Sequence, residues 1–319
     1  MTNERGSGLA ATKLHPPTLP GGLVVRSRLD DMLNAGVDGD VRLVLASAPA
    51  GSGKSTLLAA WLAGRAEAVA WLQVETGDSD PARFWTYLVE AISQARPGIA
   101  NVLRPIVTGS NGDALVVVSA LVNELAGLDE PLIVVIDDYH LIDNPAVHDG
   151  MERLIDLCPD QVTVVCLTRI DPPFRLGQLR VRNHMIEIRA DDLRFDPAEA
   201  AGLLGSAGES LDTGLLDQLW GRTEGWAAGL VLAGISLRRS GDPAQCSESF
   251  QGDDQLVVDY LSDEFLHGAS TEHRQRLLET SILEQFNGSL VDAVTASTGG
   301  GEWLRSTAVV NQLLIRLDS

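Results

Sequence analysis

The sequence carries a glycine-rich turn, APAGSGKST at positions 48–56, whose residue types suit phosphate chemistry. Gly51 and Gly53 let the backbone wrap closely around an anion. Backbone N–H groups in such a loop, together with the N-terminus of the helix that follows, favour negative charge. Lys54 is predicted to reach the β- and γ-phosphates of a nucleotide, and the Ser55 hydroxyl is predicted to ligate Mg²⁺. The predicted phosphate-binding residues are Ala50, Gly51, Ser52, Gly53, Lys54, Ser55 and Thr56.

The turn departs from the general pattern G-x-x-x-x-G-K-[ST] at its first position, where Ala48 stands in place of glycine. A chance Gly-Lys-Ser in a surface turn is therefore the alternative. The surroundings favour phosphate binding, because the apolar run over 41–47 is typical of a strand and the run over 54–64 is typical of a helix.

A pair of carboxylates, Asp137 and Asp138, ends the apolar run PLIVVIDDYH. Continuous β-branched residues over 131–138 are typical of a strand buried on both faces of a parallel sheet. Asp137 is predicted to hold Mg²⁺ directly or through water. Asp138 is predicted to polarise an attacking water. The alternative is a strand that ends in two solvated acids.

A basic group follows the next predicted strand, over 161–169. Arg169 ends that strand, at a position where it could sense or stabilise a γ-phosphate; the alternative is a surface arginine. Arg175, Arg180 and Arg182 follow within fourteen residues of it. They form a basic strip in an otherwise acidic chain.

The elements that must position these residues alternate between strands and helices. Five strands are predicted, at 41–47, 68–74, 131–138, 161–169 and 184–188. One of the intervening helices follows TGDSDP and is predicted to be capped by Asp78 or Ser79; others are predicted over 113–127 and 145–157. Such alternation indicates a parallel, doubly wound α/β sheet.

The second half of the sequence predicts helices alone, at 196–204, 212–220, 225–239, 255–267, 271–282, 289–296 and 302–313. The first of these begins with Asp196 as cap and Glu199 in its first turn. Residues 240–254 are polar and rich in helix-breaking residues, which indicates a linker.

Composition narrows the class of protein. The chain has 319 residues and a formal net charge of −20. Such a surface repels a phosphate backbone, so direct contact with nucleic acid is not expected. Cys158, Cys166 and Cys246 follow no metal-binding or disulfide spacing, which indicates buried thiols in a reducing compartment. No run reaches membrane-spanning length and no signal-peptide core is present, so we expect no membrane partner and a cytoplasmic protein.

The N-terminal residues are small and polar, and 1–13 are predicted to form a disordered tail. Three prolines after it favour an extended path. The segment that follows, with Val25 and Arg26, is predicted to strap the sheet edge; a further interpretation is that it also walls the nucleotide base pocket.

These motifs together resemble the N-terminal nucleotide-binding region of the large bacterial LuxR-family ATP-dependent regulators of the maltose-regulon activator type. Those regulators are signal-transduction ATPases with numerous domains. The resemblance runs from about residue 13 to residue 319. The segments that carry it are KLHPP with VVRSRL, APAGSGKST, VIDDYHLID, LTRIDPP with LGQLRVR, ADDLRF and TEGWAAGL.

The resemblance implies a P-loop NTPase with a parallel five-stranded sheet of the ASCE type, an all-helical domain and a partial winged-helix domain. The implied boundaries are a nucleotide-binding domain at 14–190, a helical domain at 191–250 and an incomplete winged-helix domain at 251–319. It also implies a switch in which ADP, between sheet and winged helix, holds a closed form. ATP with Mg²⁺ promotes self-association, slow hydrolysis resets the switch, and DNA is bound by a C-terminal domain that we expect to be absent here.

Two other functions remain open at this point. A P-loop small-molecule kinase could use the basic strip as an arginine-rich lid, although the helical second half is large for a lid. An ATP-binding interaction module without turnover would also fit the motifs.

Overall fold

The computed structural model describes residues 10–37, 41–205, 212–240, 255–266, 270–283 and 287–311. Within these ranges the chain divides into two compact units. The first contains residues up to Ser47 and Lys54–Asp192, and the second contains Ala48–Gly53 and the chain from Leu193 onward. Residues 241–254 of the linker predicted at 240–254, Cys246 among them, and the end of the last predicted helix lie outside the described residues.

The first unit is built on a five-stranded sheet. Its strands are β1 (Leu43–Ser47), β2 (Ala68–Gln73), β3 (Leu132–Asp137), β4 (Val162–Thr168) and β5 (Met185–Arg189). All neighbours are parallel, in the order β2-β3-β4-β1-β5. The predicted parallel five-stranded sheet is therefore confirmed, and β4 lies between the strand before the glycine-rich loop and the strand that ends in the acidic pair.

The helices of this unit are α1 (Ser27–Val37), α2 (Lys54–Leu62), α3 (Pro81–Ala95), α4 (Ala100–Gly109), α5 (Ala114–Ala126), α6 (Pro145–Leu157) and α7 (Leu176–Val181); α8 (Ala190–Leu193) spans the division between the units. Leu43 and Leu45 of β1 join a core formed with α3, α5 and α6. Val44, between them, is also buried and faces α1, where a Cβ on Gly36 would approach it to 3.0 Å. Both faces of β1 are thus covered, as its uninterrupted apolar sequence predicts.

Two features of the first unit correct the sequence predictions. Ala11–Leu14 form a short 3-10 helix, so residues 11–13 do not belong to a disordered tail. Lys13 is 3% exposed and forms an ion pair with the fully buried Asp78. Because Asp78 is used in this way, the cap of α3 is Asp80, whose side chain accepts from Arg83 N at 2.9 Å.

The second unit is helical in the part that the structure describes. Its helices are α9 (Pro197–Gly205), α10 (Thr213–Thr223), α11 (Ala227–Ser240), α12 (Gln255–Leu261), α13 (Thr271–Thr280), α14 (Gly288–Val294) and α15 (Gly300–Asn311). The predicted cap of α9 is confirmed, since Glu199 N donates to Asp196 Oδ1 at 2.8 Å and Asp196 N donates to Glu199 Oε2 at 3.1 Å. Helices α9–α12 share one apolar core that includes Leu204, Leu219 and Leu230.

Candidate functional site

The glycine-rich loop connects β1, which ends at Ser47, to α2, which begins at Lys54. Gly51 has φ +68° and Gly53 has φ +83°, a region that residues with a Cβ adopt only at a cost. The Ser52 hydroxyl donates to Pro49 O at 2.8 Å and tightens the turn. Strand, loop and helix follow one another in the order that the phosphate-loop interpretation requires.

The loop is held within the second unit by residues just before and at the start of α11. Trp226 Nε1 donates to Ala50 O at 3.1 Å, and Ala228 N donates to Gly51 O at 2.9 Å. A Cβ on Gly51 would lie 2.6 Å from the Tyr260 hydroxyl. By its spacing alone, the TEGWAAGL segment fits helix packing and nucleotide contact equally well. In the structure this segment donates hydrogen bonds to the loop. No feature of the sequence singled out Tyr260.

The first turn of α2 faces the acidic end of β3. Ser55 Oγ donates to Asp137 Oδ1 at 2.9 Å. Burial and, to a lesser extent, the charge of Asp138 raise the pKa of Asp137 from its ordinary 3.8 to about 6, although Ser55 and Lys54 oppose the rise. A hydroxyl and a buried carboxylate side by side are hard oxygen donors and fit Mg²⁺, whose charge would favour the ionised carboxylate. Lys54 and Thr56 lie in the same helical turn, with Lys54 buried and Thr56 half-buried.

Asp138 has an unusual backbone conformation for a residue with a side chain. Its φ of +58° is left-handed, and its N–H donates to Asp137 Oδ1 at 3.0 Å. This turn separates the two carboxylates: Asp137 is buried, whereas Asp138 is about one third exposed. Gln73 of β2 donates to Asp138 Oδ2 at 3.5 Å. One carboxylate is therefore available to solvent beside one that is not.

His140 lies beside the acidic pair, with Nδ1 4.0 Å from Asp138 Oδ1. Burial, together with the positive charges of Arg169 and Lys54, lowers its pKa from its ordinary 6.5 to about 3. Because both cations act on this ring, the predicted loop lysine and the predicted sensor arginine lie near the same side chain. In the sequence His140 formed only part of a signature, and no role was predicted for it.

Arg169 follows β4 directly and is half-buried. Two other arginines of the basic strip, Arg175 and Arg180, have acidic partners in the same unit. Arg175 pairs with Glu152 at 3.0 Å and with Asp156 at 3.1 Å. Arg180 pairs with Glu187 at 2.5 Å. These ion pairs partly neutralise the positive charge that the sequence indicated for the basic strip.

Val25 and Arg26 precede α1. Val25 is 77% exposed, whereas Arg26 is buried. The carbonyl of Arg26 accepts from Leu29 N at 2.8 Å and from Asp30 N at 3.0 Å, which are the first hydrogen bonds of the helix. Contact of Val25 and Arg26 with a nucleotide stays a prediction.

The fold is that of the P-loop NTPases. In its sheet, β4 lies between β1, which precedes the glycine-rich loop, and β3, which ends in the acidic pair. The Walker-type ATPase PABY2304 of Pyrococcus abyssi shares this fold with a TM-score of 0.61 and 15% identity, over 92% of this chain and 90% of that one. At this identity the likeness concerns the fold alone.

Sequence comparison supports a more specific resemblance. The serine/threonine-protein kinase PknK of Mycobacterium tuberculosis is 36% identical over 295 residues, which are 91% of this chain and 26% of PknK. The HTH-type transcriptional regulator MalT of Klebsiella pneumoniae subsp. pneumoniae is 35% identical over 317 residues, which are 97% of this chain and 34% of MalT. Residues 262–319 match the MalT winged helix domain family. The predicted resemblance to regulators of the maltose-regulon activator type is thereby confirmed.

The chain spans between a quarter and about a third of the length of these two relatives. A separate finding concerns membranes: within the described ranges, every helix is too short or too polar to cross a bilayer.

Proposed function

We propose that this chain is the ATP-binding and slowly hydrolysing switch module of a LuxR-family transcriptional regulator. The observation that carries the proposal is the hydrogen bond from Ser55, just behind the glycine-rich loop, to the buried carboxylate of Asp137. The similarity to MalT, a transcriptional regulator by name, supports the regulatory part. The division into a nucleotide-binding domain at 14–190, a helical domain at 191–250 and a winged-helix domain at 251–319 belongs to the same proposal.

Each side chain has a distinct role in the proposed reaction. Lys54 and the backbone of the loop bind the β- and γ-phosphates of ATP. Ser55 and Asp137 hold Mg²⁺, which would neutralise charge on the phosphates. Asp138 orients the attacking water, and Arg169 contacts the γ-phosphate. The partial exposure of Asp138 suits this role, because water must reach it.

The bound nucleotide acts as the signal in this proposal. ADP holds the closed, inactive form, and ATP promotes self-association of the chain. Turnover is slow, because the product state is itself the regulatory state. The DNA-binding output is supplied by a separate domain, which the net charge of −20 supports, since such a surface repels nucleic acid.

The kinase alternative loses support from the basic strip. A lid that closes over phosphates needs arginines whose charge is available to the substrate. Arg175 and Arg180 pair with carboxylates in the first unit, so we do not propose phosphoryl transfer to a small molecule.

The experiment uses the purified full chain, freed of nucleotide and then mixed with ATP or ADP and Mg²⁺. Single-turnover hydrolysis is followed with radiolabelled ATP, and molar mass is followed by light scattering. We expect hydrolysis over minutes to hours and a larger assembly with ATP than with ADP. Tight binding of ATP without any hydrolysis would instead support an interaction module without turnover.

A further inference from the structure

His140 is fixed by the turn that ends β3. It lies in a short 3-10 helix, Tyr139–Leu141. Leu141 N donates to Asp138 O at 3.0 Å, and Ile142 N donates to Tyr139 O at 3.0 Å. The Tyr139 side chain is buried, and its hydroxyl lies 2.8 Å from His148 Nδ1. The backbone on both sides of His140 is therefore anchored, which limits where its ring can lie.

The ring carries a buried polar atom that lacks a hydrogen bond. The His140 side chain is 12% exposed, and its Nδ1 has no hydrogen-bond partner among the described residues. Leaving a buried donor or acceptor unpaired destabilises a folded protein. Such an atom in a folded protein needs an explanation, and a functional site that is completed by its ligand is one.

The charged groups around the ring are those that the proposed function uses. Asp138 contributes a carboxylate oxygen 4.0 Å from Nδ1. Lys54 and Arg169 act on the ring from the loop helix and from the end of β4, and together with burial they keep the imidazole neutral. A neutral imidazole has one N–H donor and one acceptor nitrogen. The N–H of the neutral His140 ring can therefore donate to the Asp138 carboxylate without adding charge to the site.

We propose that His140 is a positioning residue for ATP hydrolysis, whose Nδ1–H donates to the Asp138 carboxylate once nucleotide orders the site. This inference rests on the proposed function and deepens it. The gap of 4.0 Å must shorten by about 1 Å to become a hydrogen bond. Catalytic hydrogen bonds that are long without ligand commonly tighten in the complex. The bond would fix the Asp138 oxygen that orients the attacking water.

Two amide variants separate this role from simple packing. In His140→Asn the side-chain amide can place an N–H donor near the position of Nδ1, whereas the longer amide of His140→Gln reaches towards the position of Nε2. We expect His140→Gln to slow single-turnover hydrolysis roughly 10- to 100-fold, as misplaced catalytic groups do. We expect His140→Asn to stay within about threefold of the unmodified chain, and ATP affinity to be unchanged in both.

A double-variant cycle tests the route through Asp138. If His140 acts through that carboxylate, adding His140→Gln to Asp138→Asn slows hydrolysis by less than about twofold beyond Asp138→Asn alone. Rates are measured with radiolabelled ATP over hours, so that slow variants are still measured.

The outcomes separate the two proposals. An unmodified chain that binds or hydrolyses no ATP contradicts the proposed function itself. If the unmodified chain hydrolyses ATP, a full rate in His140→Gln overturns the positioning role alone. The same role is overturned if both amide variants lose rate and ATP affinity together, because that pattern indicates packing. Independent slowing in the double variant also overturns it.

Discussion

The Ser55 hydroxyl donates a hydrogen bond to Oδ1 of Asp137 over 2.9 Å, although 82 positions separate the two residues. This contact joins the helix after the glycine-rich loop to the end of the central strand β3. It brings together the two oxygen ligands that the sequence predicted for Mg²⁺. The contact also gives the proposed metal site its first specific test.

Ser55→Ala removes one of these two ligands. We expect ATP to bind the variant with nearly the same affinity in the absence of Mg²⁺, while the gain in affinity that Mg²⁺ provides is largely lost. Calorimetric titration with and without Mg²⁺ measures this difference. Ser119→Ala is the matched control, because Ser119 donates to Leu115 O of its own helix at 2.7 Å. An equal effect of Mg²⁺ on Ser55→Ala and on the unmodified chain would exclude Ser55 as a ligand.

Asp137 predicts a pH dependence of stability. Its pKa is about 6 in the folded chain and 3.8 ordinarily, so its contribution to stability is fully present below pH 3.8 and is lost as pH rises through 6. At pH 7.5 without Mg²⁺, Asp137→Asn should therefore raise the free energy of unfolding, by about 3 kcal/mol at most. The gain should shrink as pH falls below 6.

Urea unfolding at several pH values in the presence of a chelator measures this effect. Asp149→Asn, at an exposed position, is the control and should change the free energy of unfolding by less than about 0.5 kcal/mol. If Asp137→Asn raises the free energy of unfolding equally at pH 4 and at pH 7.5, the burial of the Asp137 charge does not explain the increase.

Gly51→Ala should damage the loop. The residue has φ +68°, and an added Cβ would lie 2.6 Å from the Tyr260 hydroxyl and 2.7 Å from Ala228 Cβ. The left-handed conformation alone costs a residue with a side chain about 1–2 kcal/mol. We expect lower stability and weaker ATP binding, with partial recovery when Tyr260→Phe is added.

Gly177→Ala is the control for this substitution, because open space surrounds Gly177 within α7. Alanine there should be neutral or stabilise the chain by about 0.5–1 kcal/mol. If Gly51→Ala matches the unmodified chain in stability and in ATP affinity, the left-handed conformation at Gly51 is not needed for ATP binding.

The ion pair between Lys13 and Asp78 should contribute strongly to stability. Asp78→Ala leaves the buried ammonium of Lys13 without its main partner, which costs about 3–5 kcal/mol in comparable cases. Adding Lys13→Met should recover part of that loss. Glu130→Ala breaks an exposed pair with Arg96 and should cost less than about 1 kcal/mol. Equal losses from Asp78→Ala and Glu130→Ala, in urea unfolding, would mean that residues 11–14 contribute little.

Local signals in the sequence predicted most of the first unit. The strand ending in Asp137 was evident from its continuous β-branched residues, and the bounds of α6 agree with the predicted helix at 145–157. The capping box of Asp196 and Glu199 was equally local, since both partners lie within one helical turn. Helix α4 was missed; it contains Pro105, which is unfavourable inside helices.

The features that the sequence did not predict depend on distant partners. Nothing near Lys13 indicates that Asp78 is its partner, so the segment looked like a polar tail and Asp78 looked like a helix cap. The hydrogen bond from Trp226 to Ala50 spans 176 positions. His140 was visible only as part of a motif, because its significance comes from the surrounding charges of Asp138, Lys54 and Arg169. Spacing along the chain carries no information about such contacts.

The most direct test of the account is calorimetric titration of Lys54→Ala with ATP and Mg²⁺. Lys54 opens α2 immediately after the glycine-rich loop. The control is Arg104→Ala, which removes a positive charge from an exposed pair with Glu90. We predict that Lys54→Ala shows no measurable ATP binding while Arg104→Ala binds like the unmodified chain. Unchanged ATP affinity in a folded Lys54→Ala would contradict the phosphate-loop assignment and the switch built on it.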